Sequence, residues 1–309
     1  MKGRAMEVVK LTAYGSLLGL VYSLVLLIPM MYIIPLIYKM MKETIMYVVL
    51  ISVLILIIRE KRRGYALTSF LLSGYLGWIA LDLKILSPTQ VLFPLFAGLF
   101  GLSNILVSLK DKAVNIPQKE DIKVSLNKNI AYSGLLGSLC GIIVGLLPGM
   151  SPSQVGIIAY DLLGSNIRGF LVSVSAINTS DAIYSLISLY TINNPRSGVA
   201  TMLSQVMTLD INTLILFIGI IAFSSVIATT LYLFLGKIAM QFVKRMDYTK
   251  LNVGILILMV TLIYWMTGFM GLFLTMIATA IGLIPILTGV SRTHLMGLLI
   301  IPTLIYTLV

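Results

Sequence analysis

Charge is scarce in this chain: 11% of its 309 residues are Asp, Glu, Lys or Arg, while 59% are hydrophobic and the mean hydropathy is +1.03. A soluble domain carries about a quarter charged residues, so a water-soluble globular fold is excluded. Cysteine occurs once, as Cys140 inside an apolar run, which rules out a disulfide within the chain and a thiolate metal cluster. Histidine also occurs once. His294 follows "GVSR" at a helix start, has no second histidine or carboxylate spaced for a metal, and reads as an interfacial residue. There is no HExxH-like helix and no Ser or Cys beside a plausible base. A membrane enzyme acting on lipid therefore finds little support, and no catalytic residue, metal ligand or organic cofactor is assigned.

What the chain has in abundance is apolar runs of helical length. They fall at 11–38, 44–58, 65–81, 89–109, 130–147, 151–163, 170–190, 199–209, 211–236, 252–267, 269–287 and 293–309. Most approach the roughly 20 residues a helix needs to cross a bilayer, and the alternating pattern of barrel strands is missing. The expected fold is all-α, a polytopic integral membrane helical bundle. The first run is too long for a signal-peptide core and reads as a retained helix. The runs 151–163 and 199–209 are too short to span, and fit half-membrane helices in re-entrant hairpins.

The formal charge of +11 is carried by Lys and Arg in the connections, where it sets orientation and does not point to nucleic acid. If 130–163 leaves and re-enters one side and 199–209 does not cross, 18 of the 22 Lys and Arg fall on one side, with Lys39, Lys42, Lys84 and Arg196 opposite. The richer side is expected to be cytoplasmic, with the N-terminus and the loop 110–129 on it, in a multi-pass protein of the cell membrane. Chain order suggests an N-terminal four-helix part (1–109), a charged linker (110–129) and a C-terminal part with broken helices (130–309). The run "REKRR" at 59–63 reads as a positive-inside anchor against membrane lipid.

Two interruptions carry the functional reading. Unpaired backbone groups cannot persist in hydrocarbon, so a Gly/Pro break at membrane depth implies covering protein or a water-filled cavity. In "GLLPGMSPSQVG" (145–156), Pro148 and Gly149 end one helix and Ser151-Pro152 starts another. The N-terminus of the new helix offers N–H groups and partial positive charge to an anion such as a carboxylate or phosphate, with Ser153 and Gln154 adding donors. "TINNPRSGVATMLSQV" (191–206) repeats the logic, with Asn193, Asn194, Arg196 and Ser197 ahead of a short helix. Between them, "FLVSVSAINTSDAIYSLISLY" places Asn178, Asp181, Ser185 and Ser188 within about an 80° arc of one helix face. An ionisable group there is costly and should face the cavity or a partner. Glycines at 137, 141 and 145 read as helix-packing residues, and Pro29 and Pro35 as a kink.

These stretches resemble the large permease of the tripartite tricarboxylate transporters, the TctA family, and within it an archaeal branch of uncharacterised membrane proteins. The resemblance rests on "GLLPGMSPSQVGIIAY" (145–160), "INTSDAIYSLISLYTINNPRSGVA" (177–200), "GLIPILTGVSRTHLMGLLIIP" (282–302) and "YGSLLG" (14–19). It implies two related repeats, each with a Pro-Gly break, and secondary transport of organic anions driven by an ion gradient. The opening "MKGRAMEVVKLTAYGSLLG" resembles the segment that follows the first repeat's break, so the first repeat is expected to be missing or supplied by a partner chain.

The expectation is thus a permease for a small anionic organic solute of carboxylate type. Gly149, Ser151, Ser153, Gln154, Asn193, Asn194, Arg196 and Ser197 would bind the solute, and Asn178, Thr179 and Asp181 would serve a coupling Na⁺ or H⁺. Membrane lipid, the solute and other copies of the chain are its expected partners. Two alternatives stay open: a protein that binds or translocates a lipid phosphate, and a non-transporting subunit or fragment of a split permease.

Overall fold

The computed structural model describes residues 4–41, 44–82, 86–110, 124–146, 151–162, 166–195, 197–243 and 247–308. Among them every regular element is helical. The α-helices are α1 (Ala5–Val25), α2 (Leu27–Met41), α3 (Ile45–Arg59), α4 (Arg63–Asp82), α5 (Pro88–Phe96), α6 (Ser103–Lys110), α7 (Lys128–Leu146), α8 (Pro152–Leu162), α9 (Ile167–Ile192), α10 (Gly198–Val206), α11 (Ile211–Val243), α12 (Tyr248–Thr288) and α13 (Gly297–Leu308). A π-helical stretch (Ala97–Leu102) joins α5 to α6, and a 3₁₀ turn (Arg292–Met296) precedes α13. Among the described residues, seven helical stretches, with Gln90–Lys110 taken as one, are long and apolar enough to cross a membrane. The chain forms a polytopic all-α membrane bundle.

Packing assembles two compact units, each from two separated stretches: Met1–Ile45 with Ile116–Phe242, and Met46–Asn115 with Val243–Val309. Packing thus groups the helices differently from the chain-order parts 1–109 and 130–309.

In the first unit α9 is the hub, packed by α1, α2, α7, α8 and α10. Small residues let backbones approach. A Cβ on Gly19 of α1 would lie 2.6 Å from the Ala176 carbonyl, and one on Gly137 of α7 would lie 2.5 Å from that of Ser173. These contacts step upward together, Gly15 to Val172 and Gly19 to Ala176, Gly137 to Ser173 and Gly145 to Asp181 and Tyr184, so α1 and α7 both run parallel to α9. Leu20, Met30, Ile34, Ile142, Leu146, Ile183 and Ile187 fill the space between them. Tyr184 is fully buried and its hydroxyl pairs with Ser138 at 3.1 Å. The run 11–38, read as one segment, is two helices that meet at Leu26. Pro29 explains the division, since it has no N–H for the Val25 carbonyl one turn earlier.

In the second unit, α12 is a hairpin. Gly268 has φ 65° and ψ −158°, a conformation essentially confined to glycine. Leu256 and Leu283 line one cavity, whereas a continuous helix rising 1.5 Å per residue would hold them about 40 Å apart. The two runs 252–267 and 269–287 are the hairpin's arms. Its base is tied to the α3–α4 turn: Arg62 donates to the Thr288 carbonyl at 3.1 Å, and Glu60 accepts from the Ser291 N–H at 2.9 Å. His294, read as interfacial, is 3% exposed, packed inside the protein with Nε2 3.4 Å from Glu60 beside the α3–α4 turn. The 3₁₀ turn tucks it under the chain, a geometry that its spacing in the sequence does not encode.

Candidate functional site

The first break begins where α7 ends at Leu146; Pro148 and Gly149 lie outside the described residues. Gly145 stands level with Asp181 and Tyr184, while Gly156 of α8 meets Phe170 and Val174. α7 therefore rises along α9, and α8 descends it. That register starts α8 at about the level of Asp181, two to three turns short of the end of α9. Tyr160 packs edge-on against Phe170, ring centroids 5.7 Å apart, and holds α8 down on α9.

Ser151 and Gln154 are engaged in a way their types alone did not reveal. Gln154 N–H donates to Ser151 Oγ at 3.3 Å, and Ser151 N–H donates to Gln154 Oε1 at 2.8 Å. This reciprocal capping box satisfies two N–H groups that the anion-site reading had left free. Gln154 is 2% exposed, so its contribution to any ligand is limited to its amide nitrogen. Ser153 is exposed.

The second break folds the chain back onto α9. Asn193 caps α9 in the left-handed region, φ 49°, and is exposed. Asn194 donates from Nδ2 to the Tyr38 hydroxyl of α2 at 2.9 Å. Ser197 is the N-cap of α10, accepting from Ala200 N–H at 3.1 Å, and its Oγ lies 3.1 Å from Ser185 Oγ. Arg196 lies outside the described residues. The Ser185–Ser197 contact fixes the start of α10 one turn above Asp181. Both short helices thus begin beside the Asp181–Ser185 section of α9, aiming their N-terminal ends at one zone.

Asp181 is half-buried, and a Cβ on Gly145 would sit 3.3 Å from its Oδ1. Among the described residues it has neither an ion-pair nor a hydrogen-bond partner. Ser188, further along the same stripe, is fully buried with its hydroxyl unpartnered. The structure separates Asp181 from the other two residues grouped with it. Asn178 and Thr179 line a cleft of ≈ 570 Å³ on an adjoining face of α9. Thr12 and Ser16 of α1 and Ser225, Thr229 and Tyr232 of α11 complete its polar wall. Ser16 and Thr179 hydroxyls meet at 2.7 Å, and Thr12 and Tyr232 at 3.1 Å.

A family profile described as the tripartite tricarboxylate transporter TctA family matches residues 1–297. The chain belongs to the TctA family. It is 27% identical over 320 residues to the "Uncharacterized protein MJ1079" of Methanocaldococcus jannaschii, covering 100% of this chain and 78% of that protein. No solved structure matches it. Membership in TctA makes the chain a tricarboxylate-transporter-type permease, with small solute and lipid as the partners that go with such a protein.

Three features of this TctA chain went unread in its sequence. Glu7 is 1% exposed and pairs with Arg168 at 2.7 Å and with Arg4 at 3.5 Å, locking the starts of α1 and α9 together. The i, i+4 hydroxyls Thr12 and Ser16 are one signal of the cleft, and Ser225 and Thr229 are its counterpart. Each pair alone resembles ordinary helix packing, and only the convergence of three helices distinguishes them.

Proposed function

We propose that this chain is a permease for a small organic anion of the carboxylate class, working by alternating access and coupled to an Na⁺ or H⁺ gradient. What supports the reading most directly is the shared level of the α8 and α10 N-termini beside Asp181 and Ser185. Two helix starts converging on a half-buried zone concentrate partial positive charge and backbone donors where an anion would otherwise be poorly solvated. Because the capping box occupies Ser151 Oγ, the solute is held chiefly by the remaining N–H groups, Ser153, the Gln154 amide, Gly149, Asn193, Asn194 and Ser197, with Arg196 supplying formal charge. Asn178 and Thr179 are the α9 groups available to a coupling Na⁺, and Asp181 is the one available to a coupling H⁺. In a cell the protein sits in the plasma membrane with its N-terminus and the 110–129 loop in the cytoplasm.

The test is solute-dependent thermal stabilisation of the purified chain in detergent, with citrate and smaller di- and monocarboxylates as probes. Binding to the folded state alone raises stability by about 2.7 kcal/mol at a hundredfold excess over Kd. The expected result is stabilisation by at least one carboxylate, lost in Arg196→Ala and weakened in Ser151→Ala, whose cap holds the α8 N-terminus in place. An unchanged response in both variants would remove the assignment. Stabilisation by a polyprenyl phosphate and by no carboxylate would transfer the site to lipid phosphate.

A further inference from the structure

We propose that the hydroxyl-lined cleft between α1, α9 and α11 binds a monovalent metal cation, at a site distinct from Asp181. The inference deepens the permease reading by locating the ion; its first observation is where the hydroxyl hydrogens go. Thr12 Oγ1 donates to the Val8 carbonyl at 2.9 Å, Thr179 Oγ1 to that of Ser175 at 3.2 Å, and Thr229 Oγ1 to that of Ser225 at 2.7 Å. With those hydrogens committed, the Thr12–Tyr232 contact needs Tyr232 as donor and the Ser16–Thr179 contact needs Ser16 as donor. Five of the seven lining hydroxyls thereby spend their hydrogens within the protein, and the Ser175 and Ser225 hydroxyls and the Asn178 amide keep theirs.

A lining in which oxygens outnumber free donors suits a hard cation better than an anion, which needs donors. None of the lining residues is ionisable at neutral pH: no Lys, Arg, Asp or Glu is among them. The solute anion therefore meets no formal positive charge here, and a proton has no base to receive it. The volume of ≈ 570 Å³ is far larger than a bare ion, leaving room for retained water. Depth adds a third argument. Thr12 and Ser16 lie in the middle third of α1, Asn178 and Thr179 near the centre of α9, and Ser225 and Thr229 in the middle third of α11. Polar groups at that depth in a membrane helix mark pathways of ions or solutes. Asn178 stands about 60° around α9 from Asp181, at the border between cleft and anion zone, so a cation in the cleft would compensate an anion on the adjoining face at about a helix's width.

The test uses the full chain in detergent, free of carboxylate, at constant ionic strength with choline replaced stepwise by Na⁺, K⁺ or Li⁺. The expected result is a rise in Tm with at least one metal cation that choline does not produce, lost in Thr179→Val and in Ser16→Ala, restored in Thr179→Ser and retained in Asp181→Asn. The Thr179→Ser variant keeps the oxygen and separates loss of a ligand from loss of fold. No cation-specific rise, or a rise lost in Asp181→Asn while Thr179→Val keeps it, would overturn the proposal. The carboxylate response, measured separately in choline, stands or falls independently of this outcome.

Discussion

At the scale of single residues, the costliest group outside the anion zone is the Glu7 carboxylate, which burial would make unfavourable without Arg168 beside it. Hydrogen bonds to charged groups contribute about 1.5–3 kcal/mol, and Arg168→Ala should lower stability by about that amount, because it strands the carboxylate. Replacing both, Glu7→Gln with Arg168→Ala, should recover much of the loss. Equal destabilisation by the single and double variants in thermal unfolding would contradict this account. At the start of α11, Asp210 accepts from the Thr213 hydroxyl and, at 3.0 Å, from its N–H. Those bonds hold the Asp210 pKa below its ordinary value of 3.8. A depressed carboxylate contributes stability above its unfolded pKa and loses it as pH falls through the folded value. The α11 start should therefore loosen only below about pH 4, and amide exchange at Leu214 should lose that acid dependence in Asp210→Asn.

At the scale of elements, glycine marks where helices touch and where they do not. A Cβ on Gly19 meets the backbone of Ala176, whereas nothing lies within 4 Å of one on Gly219 in α11. Gly19→Ala should destabilise by about 1–3 kcal/mol through forced separation of α1 and α9. Gly219→Ala should be neutral or stabilising by up to about 1 kcal/mol. Their Tm values, measured side by side, check the packing directly. The same elements indicate what a sequence discloses. The apolar runs, the short α8 and α10 and the packing role of Gly137, Gly141 and Gly145 were legible, because each follows from hydropathy, length or small-residue spacing. The capping box at Ser151 was hidden: Ser-Pro-Ser-Gln supports both an open anion site and a closed cap, and only the position of the Gln154 amide decides between them. The division of the α9 polar groups was hidden for a related reason. Helical phase places Asn178 and Asp181 near each other, but which neighbouring helix each one meets is a tertiary fact.

At the scale of the whole molecule, the proposed orientation rests on the asymmetry of Lys and Arg. In a Cys140→Ser background, single cysteines at Lys61, Lys119 and Lys250 should resist a membrane-impermeant thiol reagent added to intact cells and react after permeabilisation. One at Gly268, the apex of the α12 hairpin, should react in intact cells. The reverse pattern would invert the topology. The pairing of α1 and α2 with α7 to α11 in one unit, and of α12 and α13 with α3 to α6 in the other, was not readable from chain order, because contacts between distant apolar runs leave no local signature. Transport is tested by uptake of radiolabelled citrate and smaller carboxylates into proteoliposomes holding the purified chain under an imposed Na⁺ or pH gradient. The expected result is gradient-dependent accumulation of at least one carboxylate, abolished in Arg196→Ala and, where a pH gradient drives uptake, strongly reduced in Asp181→Asn. Uptake no greater than in protein-free liposomes, for every carboxylate under both gradients, would contradict it.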